Sequence, residues 1–186
     1  MFTDCREAAN SLSEFSLPAL DGSGNVSLAE FSGKVVLVTN VATYWGFASQ
    51  YPDMNALRDT YDGDFEILAV PSSNFFNVSY VLFNQNTPKQ IICFQQEPSG
   101  NGDEIMNAIR HVRPGNNFEP SFQVFGRSDV NGAARLDLYT WALHLCDSPS
   151  PTFFDPKMLY YDPISMEDVR WNFEKVSSAY KLQNKC

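Results

Sequence analysis

The part of this sequence best suited to chemistry is a strand, a short loop and a helix. Residues 35–41 form a run of mostly β-branched and aliphatic residues, which is typical of a central strand covered on both faces. The loop after it ends in Trp45 and Gly46, and helical spacing of apolar residues begins beyond. Backbone N–H groups and the helix dipole favour negative charge at such a place, and thiolates there have lowered pKa values. The arrangement suits a reactive nucleophile, yet the sequence places a tryptophan there.

Cysteine and histidine, the other residues suited to redox or metal chemistry, are scattered through the chain. The four cysteines are Cys5, Cys93, Cys146 and Cys186. None of them form a C-x-x-C pair, so their spacing indicates neither a zinc site nor a local redox dithiol. His111 and His144 are too few for a histidine-rich site, and no metal site is predicted. The count allows two disulfides, but a chain of 186 residues does not need them, which favours partly buried free thiols.

The elements that must position this turn alternate between strands and helices. Strands are predicted over residues 15–20, 26–28, 35–41, 65–70, 122–125 and 169–176. Helices are predicted over residues 47–61, 104–112 and 136–145, with a single helical turn at 28–31. A small extra hairpin is predicted from two apolar runs, 80–83 and 91–94, in a segment rich in Asn and Gln. This alternation favours an α/β or thioredoxin-like layered domain with one parallel strand–helix–strand unit.

Composition narrows the class of protein. Hydrophobic residues make up 44% of the chain and charged residues 19%, so a single globular domain over residues 1–186 is expected. The net charge of −9 disfavours nucleic acid and anionic membranes as partners. Residues 1–10 contain no apolar leader, and no stretch is as long as a transmembrane helix. A cytoplasmic protein is expected, or a secreted one if the N-terminus is incomplete.

Seven stretches, in this order along the chain, carry a resemblance to a known family. They are Leu20-Asp21-Gly22, residues 28–38, 40–46, Gln96-Glu97-Pro98, and residues 112–120, 129–132 and 170–175. In these stretches, and along nearly its whole length, the chain resembles the glutathione peroxidase family. The resemblance implies a thioredoxin-like fold with a central mixed sheet and flanking helices. It also implies reduction of hydrogen peroxide or organic hydroperoxides, with glutathione as the reducing partner and no separate cofactor.

The resemblance also implies a set of site residues. The family's selenocysteine or cysteine nucleophile falls on Trp45, and its partners fall on Gln96, Trp171 and Asn172. A selenol or thiol must be anionic to attack a peroxide oxygen, and the indole and amide N–H groups of these partners can stabilise that anion. The implied cycle passes through a selenenic or sulfenic acid, which one thiol captures and a second reduces.

Trp45 departs from the family pattern, because an indole has no accessible anion and no nucleophilic chalcogen. Selenocysteine is encoded by UGA, and UGA read under another convention gives tryptophan. One hypothesis is therefore that Trp45 stands for a selenocysteine, so that selenium supplies the chemistry. The alternative is a true tryptophan in a catalytically inactive relative that acts by binding or assembly.

Three other departures bear on the reductant and on the fold. Ser72 stands where many members have a cysteine, and residues 104–110 contain none, so a resolving cysteine is missing and glutathione is favoured. Residues 77–94 look like an insertion, which could displace Gln96. The strand and helix that follow residues 171–175 in the family are apparently missing, which predicts a less stable, aggregation-prone protein.

One matching segment narrows the expected assembly. Residues 113–120 resemble the oligomerisation loop of the tetrameric, glutathione-using members, so a homotetramer is expected. The alternative is a surface loop without a partner. Arg113 is a candidate for binding the glutathione carboxylates.

Overall fold

The computed structural model describes residues 11–61, 63–75, 78–82, 90–94, 97–98, 101–145, 159 and 161–178, with the backbone alone for 78–82, 90–94 and 176–178. Its strands are β1 (Ser16–Pro18), β2 (Asn25–Ser27), β3 (Val35–Val41), β4 (Phe65–Pro71), β5 (Val78–Leu82), β6 (Gln90–Phe94), β7 (Gln123–Val124) and β8 (Lys175–Ser178). Its helices are α1 (Tyr51–Thr60), α2 (Gly102–His111) and α3 (Asp137–Leu145). Short 3-10 helices lie at Leu12–Glu14, Leu28–Phe31 and Gly46–Gln50.

A four-stranded mixed sheet in the order β7-β4-β3-β8 forms the centre of the fold. The strands β3 and β4 run parallel, in a register that pairs Val35 with Phe65 and Val41 with Pro71. The strand β8 is antiparallel to β3, and β7 is parallel to β4. The predicted parallel unit is therefore confirmed. The predicted strands at 15–20 and 26–28 are present as β1 and β2, which form an antiparallel pair.

Helices cover both faces of this sheet. Successive side chains of each strand point to opposite faces and so contribute to two separate cores. On one face Val36, Val38, Leu68 and Val70 pack with residues of α3. On the other face the core is built from β3, β4, α1 and α2, with the members Val41, Ile67, Ala69, Tyr51, Met54, Ile105 and Ile109. Burial on both faces explains why β3 and β4 read as continuous apolar runs rather than alternating ones.

The last predicted strand, residues 169–176, is wrong in its position. The strand β8 begins only at Lys175, and residues 169–174 form a loop in which Phe173 has a positive φ of 59°. The predicted extra hairpin is present, since β5 and β6 pair in antiparallel fashion as a sheet of their own. Among the described residues, no helix is long and apolar enough to cross a membrane. Cys5, Cys146 and Cys186 lie outside the described residues, and so does the side chain of Cys93.

Candidate active site

The turn after β3 presents residue 45 at the start of helical structure. The Trp45 N–H donates to the Ala42 carbonyl at 3.2 Å, which closes a turn over residues 42–45. Trp45 then accepts from the Ala48 N–H at 3.1 Å and precedes the 3-10 helix Gly46–Gln50, which leads directly into α1. Pro52 falls in the first turn of α1, where its missing N–H has no cost. The strand–loop–helix order predicted from the sequence is thus confirmed, with a short 3-10 segment ahead of the α-helix.

The structure brings Trp45 and Trp171 together. Their ring centroids lie 5.4 Å apart with the planes at 73°, an edge-to-face arrangement of the kind that aromatic pairs prefer. Phe75, from the loop after β4, also contacts Trp171, with the ring centroids 6.0 Å apart. Both indoles are half-buried, and Asn172, next along the chain, is buried. Three residues predicted from the resemblance therefore lie on two adjacent loops.

The loop that holds Trp171 is fixed to the end of β3. The Asn40 side-chain amide donates to the Trp171 carbonyl at 2.8 Å, and the Asn40 carbonyl accepts from the Phe173 N–H at 2.6 Å. The Glu174 carboxylate accepts from the Trp171 N–H at 3.4 Å, which folds the loop over itself. These contacts explain why the segment does not form a strand: its polar backbone groups are satisfied by side chains and by β3.

A lysine links this loop to the helix that follows residue 45. The Lys175 ammonium donates to the Gln50 side-chain oxygen at 2.8 Å and to the Phe173 carbonyl at 2.7 Å. Partial burial lowers the pKa of Lys175 from its usual value. The same ammonium therefore joins the Trp171 loop to the N-terminal side of α1.

Gln96, the remaining predicted partner, lies outside the described residues, but the two residues after it are described and buried. The Glu97 N–H donates to the Ser73 hydroxyl at 3.2 Å, and the Pro98 carbonyl accepts from the Arg127 guanidinium at 3.2 Å. Ser73 precedes Phe75 by two residues. Glu97 and Pro98, which follow Gln96, therefore lie beside the loop that contacts Trp171.

Glu97 is a buried ionisable group that sequence reasoning did not single out. Burial raises its pKa to about 8, and the opposing effects of the Thr43 hydroxyl and N–H and of Arg127 are smaller. Tyr51 lies close enough for the charge of Glu97 to help raise its own pKa, which burial already raises well above the usual value. The one available signal was position: a carboxyl immediately after a predicted site residue.

Arg113, the predicted glutathione-binding residue, is exposed just after α2. Among the contacts of the described residues, none joins Arg113 to Trp45 or to Trp171. Ser72 is buried at the end of β4, where its N–H donates to the Val41 carbonyl at 3.0 Å. Within the described ranges, no three His, Cys, Asp or Glu side chains lie together as metal ligands would.

Exposed aromatic side chains flank the turn. Tyr44 is 44% exposed and Phe47 is 47% exposed, on either side of half-buried Trp45. Exposed apolar rings favour contact with an apolar part of a ligand. The surface beside residue 45 is therefore apolar and aromatic.

Comparison with known proteins identifies a family that this chain resembles. The model of the glutathione peroxidase family matches residues 12–143. The epididymal secretory glutathione peroxidase of Rattus norvegicus is 34% identical over 177 residues, which cover 94% of this chain and 72% of that protein. A glutathione peroxidase of Dirofilaria immitis is 37% identical over 174 residues, covering 92% of this chain and 70% of that protein.

Solved structures agree on the fold. The apo form of Trgpx aligns with a TM-score of 0.50 at 24% identity, covering 90% of this chain and 76% of that one. The structure of T. cruzi GPX1 aligns with a TM-score of 0.50 at 21% identity, covering 89% and 77%. The expected thioredoxin-like fold, a central mixed sheet with helices on both faces, is confirmed.

Proposed function

This chain belongs to the glutathione peroxidase family, and on that premise we propose that it reduces hydrogen peroxide and organic hydroperoxides with glutathione, through a selenium or sulfur nucleophile at position 45. The observation that carries the proposal is the placement of residue 45 at the start of a helix, with the Trp171 ring 5.4 Å away. A selenolate or thiolate there would meet the backbone N–H groups of the first helical turn.

The proposed chemistry divides peroxide reduction into displacement steps. The anion at position 45 attacks one peroxide oxygen and the O–O bond breaks. The departing hydroxide or alkoxide takes up a proton and leaves as water or an alcohol. The resulting selenenic or sulfenic acid loses water when one glutathione thiol attacks it, and a second glutathione then releases glutathione disulfide and restores the anion. The indole N–H of Trp171 and the amides of Asn172 and Gln96 would stabilise the anion as donors.

Two features support the choice of substrates. The aromatic rim of Tyr44 and Phe47 favours hydroperoxides with an apolar organic group as well as hydrogen peroxide. Ser72, rather than a cysteine, lies at the end of β4, and residues 104–110 of α2 contain no cysteine. Both features favour an external thiol for the second half of the cycle, and glutathione is the proposed one.

The test is to install a nucleophile and measure turnover. Trp45→Cys, or selenocysteine at that position, should gain peroxide-dependent glutathione oxidation that the chain with Trp45 lacks. Adding Trp171→Phe keeps an aromatic ring but removes the indole N–H, and should lower the rate by roughly 10²-fold. Trp141→Phe is the matched control, because Trp141 lies on α3 with its ring against Phe15 and is not one of the predicted site residues, so it should leave the rate unchanged. If Trp45→Cys oxidises glutathione no faster than the unaltered chain, the proposal is wrong.

A second candidate is a family member without peroxidase activity that acts by binding or assembly. The packing of the Trp45 indole against Trp171 favours it, because that pair stabilises a tryptophan at the nucleophile position. Mass spectrometry of the native peptide, or the codon for residue 45, separates the two candidates. A UGG codon supports the inactive protein, whereas UGA with a selenium-containing peptide supports the peroxidase.

A further inference from the structure

The side chain of Glu97 lies in the interior of the protein, where burial of an unpaired, ionised carboxylate costs free energy. Its exposed fraction is 0%, and so are those of its neighbours Thr43 and Tyr51. Among the described residues, neither carboxyl oxygen has a hydrogen-bond partner at full geometry. The Thr43 hydroxyl and N–H lie next to the carboxyl and lower its pKa, as does the charge of Arg127.

These neighbours belong to different parts of the candidate site. Thr43 lies inside the turn closed by the hydrogen bond from Trp45 to Ala42, two residues before the nucleophile position. Its hydroxyl is 3.5 Å from the Tyr51 hydroxyl at the start of α1. The backbone of Glu97 itself is anchored to Ser73, on the segment that leads to Phe75.

Tyr51 extends the connection to the Trp171 loop. Its ring packs edge-to-face on Phe173, with centroids 5.4 Å apart, and stacks on Phe122 at 6.1 Å. Phe173 is the residue whose N–H is bound by β3. The carboxyl of Glu97 therefore lies where the turn of residue 45, the start of α1 and the segment after Gln96 meet.

We propose that Glu97 is a positioning residue whose buried neutral carboxyl holds these three segments in one arrangement, and that loss of its proton moves residue 45 relative to Trp171. The positioning does not depend on the proposed peroxidase activity, whereas its effect on turnover does. A neutral carboxyl has one O–H donor and can also accept, so it suits the Thr43 and Tyr51 hydroxyls, each of which can do both.

Ionisation of Glu97 would change this balance. With its pKa raised to about 8 by burial, the carboxyl is protonated at neutral pH and loses its proton in the mildly alkaline range. The charged or titratable groups of the described residues that face it are Arg127 and Tyr51. Tyr51 remains neutral there, so Arg127 alone offsets the new charge, and the carboxylate draws in donors or water. Either response shifts the turn that contains Thr43.

The test measures the fluorescence of the two site indoles, in the protein with tryptophan at position 45. Trp141→Phe removes the third tryptophan, so that emission reports on Trp45 and Trp171 alone. Raising the pH through about 8 should change this emission in one step. Adding Glu97→Gln, which keeps the shape and stays neutral, should abolish the step and keep the emission of the low-pH form. A step with the same midpoint in the Glu97→Gln protein, or no step with Glu97 present, would overturn the proposal.

A second pair of variants keeps the test decisive if Glu97→Gln does not fold. Arg127→Gln removes the cation that lowers the pKa of Glu97, so the midpoint should move to higher pH. Arg127→Lys keeps the charge and should leave the midpoint close to that of the parent. An unchanged midpoint in Arg127→Gln contradicts the proposal.

The effect of Glu97 on turnover is measured in a separate experiment. In the Trp45→Cys background, the ratio of the rate with Glu97 to the rate with Glu97→Gln should stay constant below about pH 8 and fall above it. Failure of the peroxidase proposal leaves the fluorescence result intact, because the emission change needs no turnover. A flat ratio together with the fluorescence step would limit the role of Glu97 to holding the turn.

Discussion

At the scale of single residues, the backbone and the side chain of residue 45 are held in different ways. The turn is closed by backbone groups, the Trp45 N–H and the Ala42 carbonyl, so it does not depend on which side chain residue 45 bears. The Trp171 loop is likewise held by hydrogen bonds with Asn40 and Glu174. The frame is therefore expected to accept a cysteine or a selenocysteine at position 45, with the loss of one aromatic pair worth about 0.5–1.5 kcal/mol.

The stability of the protein should depend on pH through Glu97. Its pKa is 4.5 as a reference and about 8 in the folded protein. Between these values the folded protein retains a proton that the unfolded chain has lost, so the free energy of unfolding falls as pH rises, by up to about 1.4 kcal/mol per pH unit. The stabilisation from the neutral Glu97 carboxyl is fully present below a pH of about 4.5 and is lost above a pH of about 8. Urea unfolding over a pH series should show this slope, and Glu97→Gln should remove it.

The comparison is the difference between the two proteins at each pH, because other titrating groups contribute equally to both. Trp141→Phe, a substitution of a group that does not titrate, should keep the slope of the parent. Parallel curves for the parent and Glu97→Gln would show that Glu97 ionises alike in the folded and unfolded chains.

Single residues also mark the limit of sequence reasoning at this site. Trp171 and Asn172 were found through the family motif, but the local hydrophobic pattern over residues 169–176 placed them on a strand. This segment forms a loop because of a long-range contact with Asn40 and a positive φ at Phe173. Neither feature leaves a periodic signal in the sequence. Glu97 was missed for a related reason, since burial of an isolated carboxyl is decided by Thr43 and Tyr51, which are distant in sequence.

At the scale of elements, the prediction succeeded where hydrophobic pattern and turn residues act together. The strands β3 and β4 and the helix α3 lie within a residue of their predicted bounds, because each buries a long apolar run or stripe. The strand β7 was predicted over four residues but has two, since only Leu68 and Ala69 of β4 pair with it. Strand pairing, unlike burial, is decided by the partner and is not visible in a short segment.

Residues 77–94, which the resemblance identifies as an insertion, should be separable from the fold. Ser73 before this segment accepts from the Glu97 N–H after it, and β5 and β6 pair only with each other in the sheets described. Replacing residues 78–94 with a short Gly-Ser linker should therefore preserve a single cooperative thermal transition by circular dichroism. Shortening a loop costs little, since each doubling of length is worth about 0.6 kcal/mol.

A Gly-Ser segment of the original length is the matched control, because it removes the hairpin and keeps the loop length. Both proteins should melt close to the parent. Loss of the cooperative transition in both would mean that the hairpin packs against the rest of the fold and is required for it.

At the scale of the whole molecule, the expectation from the resemblance is a homotetramer. The loop after α2 is folded onto its own protomer: Glu119 pairs with Arg110 through two contacts of 2.5 and 3.0 Å, and Asn55 of α1 donates to the Glu119 carbonyl at 2.8 Å. Its tip, Asn116 and Asn117, is exposed with φ near 55°. A rigid, exposed loop of this kind suits contact with a second copy.

Light scattering should therefore give a mass near four times 21.0 kDa. Asn55→Ala releases the loop from α1 and should shift the distribution toward smaller species. Asn107→Ala, an exposed asparagine on α2, should leave the mass unchanged. A monomer at every concentration would contradict the expected assembly.

The hydrogen bond between Asn40 and Trp171 spans 131 residues of sequence. During synthesis the chain emerges from its N-terminus at about 5–20 residues per second. Residue 45 therefore leaves the ribosome on the order of ten seconds before Trp171 is made. In the nascent chain, a nucleophile at position 45 would therefore meet oxidants and thiols without the Trp171 loop beside it, so damage during translation is expected to be greatest at this residue.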